Sequence, residues 1–339
     1  MRISDHSLLF ATAFYHAEGK SPNAWTISEQ SKMHMYYRCM VVCYASLRRI
    51  YQNSQLVLFT NRLLPEPFSS QLSSMGVETK SCPSRFVSDS KFKNGFPGCL
   101  FTLDVIDQLA QTLPAGVTAL ILLDNDCVVR CRVDELTEHF DKKAGIFAYA
   151  PGYPVNMIAN GQSRASLTLA LSYMQDKLHD APIPLYGGEF YGIPVAMLPE
   201  LARHVNQFWN WMGVQGIDII GADLTEEHVM SVALAMCSEP VLQADAYIKR
   251  IWTTEHYSTV IGNEFEIPIW HLPSEKKRGF NKLYKYWIDR NGFDRLNNEA
   301  FVNLVNAMIP LHVTKEPTFV STILQRVKST VKYLLIGRL

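Results

Sequence analysis

Apolar runs alternate with segments whose apolar residues recur every three or four positions over the first 126 residues. Short apolar runs bounded by turn-forming residues read as strands, and the longer period reads as helix. Runs at residues 7–14 and 55–60 predict strands, and residues 77–81 read as a third. Between the first two, Met33, Tyr36, Tyr37, Met40, Val41, Tyr44 and Leu47 fall at helical spacing. Arg48 and Arg49 follow where a helix dipole favours cations. Residues 65–75 predict a short helix, and 101–113 predict another that stops before Pro114. Ala119, Leu120, Ile121, Leu122 and Leu123 then form a strand that ends abruptly in Asp124, Asn125 and Asp126.

This β-α-β alternation predicts an α/β fold with a mixed, mainly parallel, Rossmann-like sheet flanked by helices. Further on, residues 145–150 predict a strand, and 166–178, 197–208 and 225–236 predict helices. Residues 186–195 are rich in glycine and aromatics. Residues 1–310 read as one domain, with 311–339 as a tail. After Glu316 the tail has no acidic residue. Its apolar residues Val320, Ile323, Leu324, Val327, Val331, Leu334 and Leu335 share one helical face, with Arg326, Lys328 and Lys332 largely off it. A basic amphipathic helix of this kind suits an anionic membrane surface.

The chain has 339 residues, of which 47% are hydrophobic, enough for a real core. Lys+Arg and Asp+Glu balance at 32 each, so no overall charge argues for a nucleic-acid partner. Seven cysteines are scattered without a Cys-x-x-Cys pair. That usage predicts reduced thiols and a cytoplasmic protein. No segment has the length and apolarity of a membrane span. No Gly-x-Gly-x-x-Gly follows a strand, which argues against a Rossmann dehydrogenase.

Asp124 and Asp126 carry the candidate chemistry. A buried strand delivers them to the rim of the sheet, where α/β folds place ligands. Two carboxylates there form a hard, oxygen-rich site suited to Mn²⁺ or Mg²⁺, with phosphate oxygens filling the remaining positions. A nucleotide diphosphate held through a metal is the expected ligand.

The acid pair resembles the DxD motif of GT-A glycosyltransferases, and the likeness extends over about residues 5–290. It implies that Asp126 binds the metal and that Asp124 binds the metal, the ribose or both. It also implies that Ala11 and Thr12 lie near the base, and that Lys93 reaches the phosphates or the sugar. The segment from His271 to Lys277 resembles the His-x-x-Gly-x-x-Lys signature of family 8 enzymes, with Ser274 in place of the glycine. That likeness makes His271 a third metal ligand and Lys277 a diphosphate ligand. Gly187, Gly188, Glu189, Phe190, Tyr191 and Gly192 resemble the acceptor-side segment of retaining family 6 enzymes. Thr225, Glu226, Glu227 and His228 resemble that family's Asp-Glu-Ser-His segment. Glu226 is then the candidate catalytic carboxylate, with Glu227 and Asp223 close rivals; Glu189 would contact donor or acceptor hydroxyls.

These likenesses imply a metal-dependent transferase that uses a nucleotide diphosphate sugar and a glycan or lipid-linked acceptor. Bacterial surface polysaccharide synthesis on the inner face of the cell membrane, with retention at the sugar carbon, is the implied setting. Two other readings stay open: a sugar nucleotidyltransferase, and a non-catalytic carbohydrate-binding scaffold on the same fold. The first is weakened because Ala11, Thr12, Ala13, Phe14 and Tyr15 stand where such enzymes carry a glycine-rich basic loop.

Overall fold

The computed structural model describes residues 7–16, 29–92, 97–112, 115–134, 138, 140, 145–254 and 257–311. The predicted tail helix and Lys93 lie outside the described residues.

A seven-stranded sheet forms the centre. Its strands are β1 (Leu8–Phe14), β2 (Gln55–Thr60), β3 (Val77–Ser81), β4 (Ala119–Leu123), β6 (Ile146–Ala148), β7 (Phe190–Pro194) and β8 (Val241–Gln243). They lie side by side in the order β3-β2-β1-β4-β7-β6-β8. β3, β2, β1 and β4 are parallel, β7 runs against both β4 and β6, and β8 is parallel to β6. This is the mixed, mainly parallel architecture expected of a GT-A fold.

Alternation along β1 explains how the sheet is covered. Leu9 and Ala11 face one core, while Leu8, Phe10 and Phe14 face the other. The first core holds α3 (Phe101–Gln111), α5 (Leu198–Trp211) and α7 (Glu226–Ala235), preceded in the chain by α4 (Arg164–Gln175) and α6 (Ile217–Ile220). The second core holds α1 (Glu29–Ile50) and α2 (Phe68–Ser74). All five residues of β4 are buried, as expected of a strand covered on both faces.

A second, three-stranded sheet is built from β5 (Cys127–Val129), β9 (Ile248–Arg250) and β12 (Ile269–His271), in the order β5-β12-β9. A two-stranded hairpin, β10 (Thr253–Thr254) with β11 (Tyr257–Ser258), lies in sequence between β9 and β12. Helices α8 (Gly279–Arg290) and α9 (Asn298–Met308) share a third core with β5, β12 and one side of α1. Helix α1 is therefore apolar on two sides. Met40, Tyr44 and Leu47 face the large sheet, whereas Cys39, Val42 and Ala45 face the small one. Among the described residues, no helix is long and apolar enough to cross a membrane.

Candidate metal centre

Two sheets meet at Asp124 and Asp126. The large sheet sets the first acid. Leu123 pairs with Thr12 on one side and with Phe190 on the other. Asp124 is the next residue, and its N–H donates to the Glu189 carbonyl at 3.1 Å. The small sheet sets the second acid. Cys127, His271 and Arg250 lie in one cross-strand row, and Leu272 N–H donates to the Asp126 carbonyl at 3.0 Å. Residues far apart in sequence thus converge through backbone pairing.

His271 Nε2 lies 3.3 Å from Asp124 Oδ2 and 3.3 Å from Asp126 Oδ1. One ligand atom from each of the three residues falls within 4.8 Å of the others. One imidazole nitrogen and two carboxylates form a donor set that suits Mn²⁺ or Mg²⁺, the nitrogen favouring manganese. Asp126 and His271 are enclosed, with side chains 4% and 6% exposed, whereas Asp124 is 46% exposed and faces the open side.

The surrounding charge fits a divalent cation. Lys276 Nζ donates to Asp126 Oδ2. Burial alone would lift the Asp126 pKa, but Lys276 and His271 hold it far below the usual carboxylate range. Burial would likewise lower the His271 pKa, yet Asp126, Asp124 and Glu189 raise it well above the ordinary value. Five carboxyl groups (Asp124, Asp126, Glu189, Glu226 and Glu227) share three cations, Lys276, Arg250 and His271. Such an excess of buried acid is costly unless cations balance it.

The three candidate catalytic acids take different environments. Glu189 is fully buried, and Arg250 donates to it from Nε at 2.7 Å and from Nη2. Burial would raise Glu189, but Arg250 and His271 bring it down to about 2. Glu227 is also held. It accepts from Arg250 Nη2, from Gly188 N–H at 3.3 Å and from Asn160 Nδ2 at 3.4 Å. Glu226 differs, because its Oε2 is buried without a hydrogen-bond partner. Burial and the neighbouring Glu227 push its pKa up to about 8. A half-buried carboxyl pushed this far, with one oxygen enclosed, marks a candidate working group.

Local sequence explains these placements. Thr225 precedes α7 in extended conformation, and its N–H donates to His228 Nδ1 at 3.0 Å. That fixes the tautomer, so Nε2–H donates to the Ala159 carbonyl at 2.9 Å. The start of α7 is thereby tied to the loop before α4. Two glycines let the acids come close. A Cβ on Gly187 would stand 2.2 Å from Glu189 Oε2, and one on Gly188 would stand 2.3 Å from Glu226 Oε1.

Other sequence-selected residues sit elsewhere. Ala11 and Thr12 are buried within β1, and Thr12 Oγ1 bonds the Tyr44 hydroxyl at 2.9 Å. Their side chains therefore do not line an open base site. Lys277 is exposed, and its neighbour Lys276 is the lysine at the acid pair. Ser274 makes local bonds of 3.0 and 2.9 Å with the Thr253 N–H and hydroxyl. Arg250 has no signal in the sequence, where it sits between Lys249 and Ile251. Its role rests on Glu189, 61 residues away in the chain.

No protein-family model matches the chain, and no curated protein matches it by sequence. Among solved structures, the chain is similar to mouse xyloside xylosyltransferase 1 in its apo form. The match has 14% identity and a TM-score of 0.48, over 79% of this chain and 98% of that one. A likeness this distant fixes nothing about the chemistry of the present site.

Proposed function

We propose that this chain is a metal-dependent glycosyltransferase, which moves a sugar from a nucleotide diphosphate sugar to a glycan or lipid-linked acceptor. The observation that carries this reading is the convergence of Asp124, Asp126 and His271 at the rim of the sheet, beside the Glu226 carboxyl, whose buried Oε2 has no hydrogen-bond partner.

A divalent cation, when bound, would neutralise the diphosphate and make it a better leaving group. Asp126 and His271 would hold it from the enclosed side. Asp124, on the open side, would complete the set and reach the ribose. Lys276, released from Asp126, would supply a positive charge to the departing diphosphate. Glu226 would face the sugar carbon as positive charge develops there. Once ionised, as a bound cation offsetting the neighbouring Asp124 would favour, its carboxylate would stabilise that charge or attack the carbon directly, which is chemistry that retains configuration. Glu189 and Glu227, already committed to Arg250, are poorly placed to do so.

The acid-free run after Glu316 supports a peripheral position on an anionic membrane, where a lipid-linked acceptor would lie. The inner face of a bacterial cell membrane, with surface polysaccharide as the product, is the setting proposed. Calorimetry with Mn²⁺, followed by a panel of nucleotide sugars assayed for slow hydrolysis, tests the reading. Asp126→Ala should abolish metal-dependent hydrolysis and leave the fold intact. Full activity in that variant, or wild-type protein that binds neither metal nor nucleotide sugar, would overturn it; the latter result would favour a scaffold.

A further inference from the structure

We propose that Glu189 is a positioning residue for the metal: clamped by Arg250, it orients His271 so that Nε2 points between Asp124 and Asp126. This rests on the metal-binding reading above and assigns Glu189 a role other than contact with sugar hydroxyls.

Glu189 is 0% exposed, so its carboxylate has no open face for a substrate. It touches the ligand set in two ways. Its carbonyl accepts the Asp124 N–H at 3.1 Å, and its Oε1 is 3.6 Å from His271 Nδ1. That nitrogen is buried and has no hydrogen-bond partner. A histidine that ligates through Nε2 keeps its proton on Nδ1, and that proton needs an acceptor to fix the tautomer and the ring plane. Glu189 Oε1 is a charged acceptor that a small shift would bring into hydrogen-bond range.

Arg250 keeps the carboxylate in place. It grips both Glu189 oxygens, donates to Glu227, and reaches the Tyr153 hydroxyl at 3.3 Å. Arg250 and His271 are paired positions on adjacent parallel strands. The clamp and the ligand are therefore carried side by side on the same small sheet. Gly187 completes the arrangement, because any side chain there would collide with Glu189 Oε2 and Arg250 Nη2. A fixed fork and a fixed strand register thus set the direction of one imidazole ring.

The test uses the full chain and Mn²⁺ alone. Calorimetry measures affinity, and pulsed electron paramagnetic resonance reads the nitrogen coupling of a manganese-bound imidazole. Wild type should bind with that coupling, and Asp126→Asn should lose binding. Glu189→Gln should bind about 10-fold or more weakly, as loss of an outer-shell partner typically does, and its nitrogen coupling should weaken while the fold is retained. Should Glu189→Gln misfold, Arg250→Lys carries the test: it keeps the charge, loses the fork, and should show the same two changes. Wild-type affinity and coupling in a folded variant would overturn the positioning role alone. Absence of Mn²⁺ binding in wild type, or its persistence in Asp126→Asn, would overturn the metal reading itself.

Discussion

Lys276 sits on Asp126, although 150 residues separate them in the chain. The ammonium occupies one carboxylate oxygen while His271 faces the other. Asp126 is thus balanced by cations of the chain itself. On the proposed function, a divalent ion at this site would compete with Lys276 for Asp126.

Removing the competitor should therefore tighten metal binding. Lys276→Met is expected to bind Mn²⁺ several-fold more tightly without nucleotide, and to raise KM for the nucleotide sugar. Lys277→Met, at an exposed position, should change neither. Calorimetry on the two variants decides which lysine serves the site, and equal effects would remove the distinction.

Glu226 should show a trade between stability and turnover. Burial and Glu227 disfavour its ionised form and raise its pKa from 4.5 to about 8. The unfolded chain releases this proton at lower pH than the folded one. Wild-type stability is therefore lost as pH climbs from about 4.5 towards 8, and levels off above that. Glu226→Gln carries no such charge. Its melting temperature should pull ahead of wild type through this window, while kcat falls by orders of magnitude and donor affinity changes little. A melting difference that stays flat with pH would mean that Glu226 titrates as an ordinary carboxyl.

Gly188→Ala should act on Glu226 without touching its chemistry. The new methyl would stand 2.3 Å from Oε1, so the carboxylate must swing away. A loss of kcat of about 100-fold is expected, the scale of a misplacement near 1 Å. Mn²⁺ affinity should stay at the wild-type value, because the ligands lie elsewhere. Steady-state kinetics and calorimetry check the two halves separately.

Arg250→Met should be costly to the fold. It would leave Glu189 and Glu227 buried without their guanidinium, the situation that destabilises proteins by roughly 3–5 kcal/mol. Adding Glu227→Gln should recover part of the loss. Urea unfolding measures both, and a single variant within about 0.5 kcal/mol of wild type would show that solvent or a local rearrangement replaces Arg250.

The regular parts of this fold were legible in the sequence. β2 and β4 occupy the positions that their apolar runs predict, because a strand covered by helices must be apolar nearly throughout; β3, a largely exposed edge strand, also lies where expected. Motif spacing singled out the acid pair, His271 and Glu226, and the structure brings them to one end of the sheet. The small sheet was not legible. Its strands are three residues each, too short for periodicity to register. Helices α8 and α9 also escaped, although Phe280, Leu283, Tyr284 and Trp287 recur at helical spacing within α8. The choice between Lys276 and Lys277 depends on how one loop turns, and motif spacing does not encode that. Arg250 acquires meaning only from partners distant in the chain.

The brevity of β9 and β12 has a further consequence for how the chain tolerates change. Side chains alternate between the two sides of a strand, so one extra residue within either would swap inside for outside. Trp270 or Lys249 would then be delivered where His271 or Arg250 now stands. Additions to the excursion around the β10–β11 hairpin carry no such penalty, since the pairing on either flank survives. Descendants of this protein should accordingly vary in length at the hairpin, between residues 253 and 258, and hold their frame on both sides of it, since Val260 and Glu264 beyond it are packed against the small sheet.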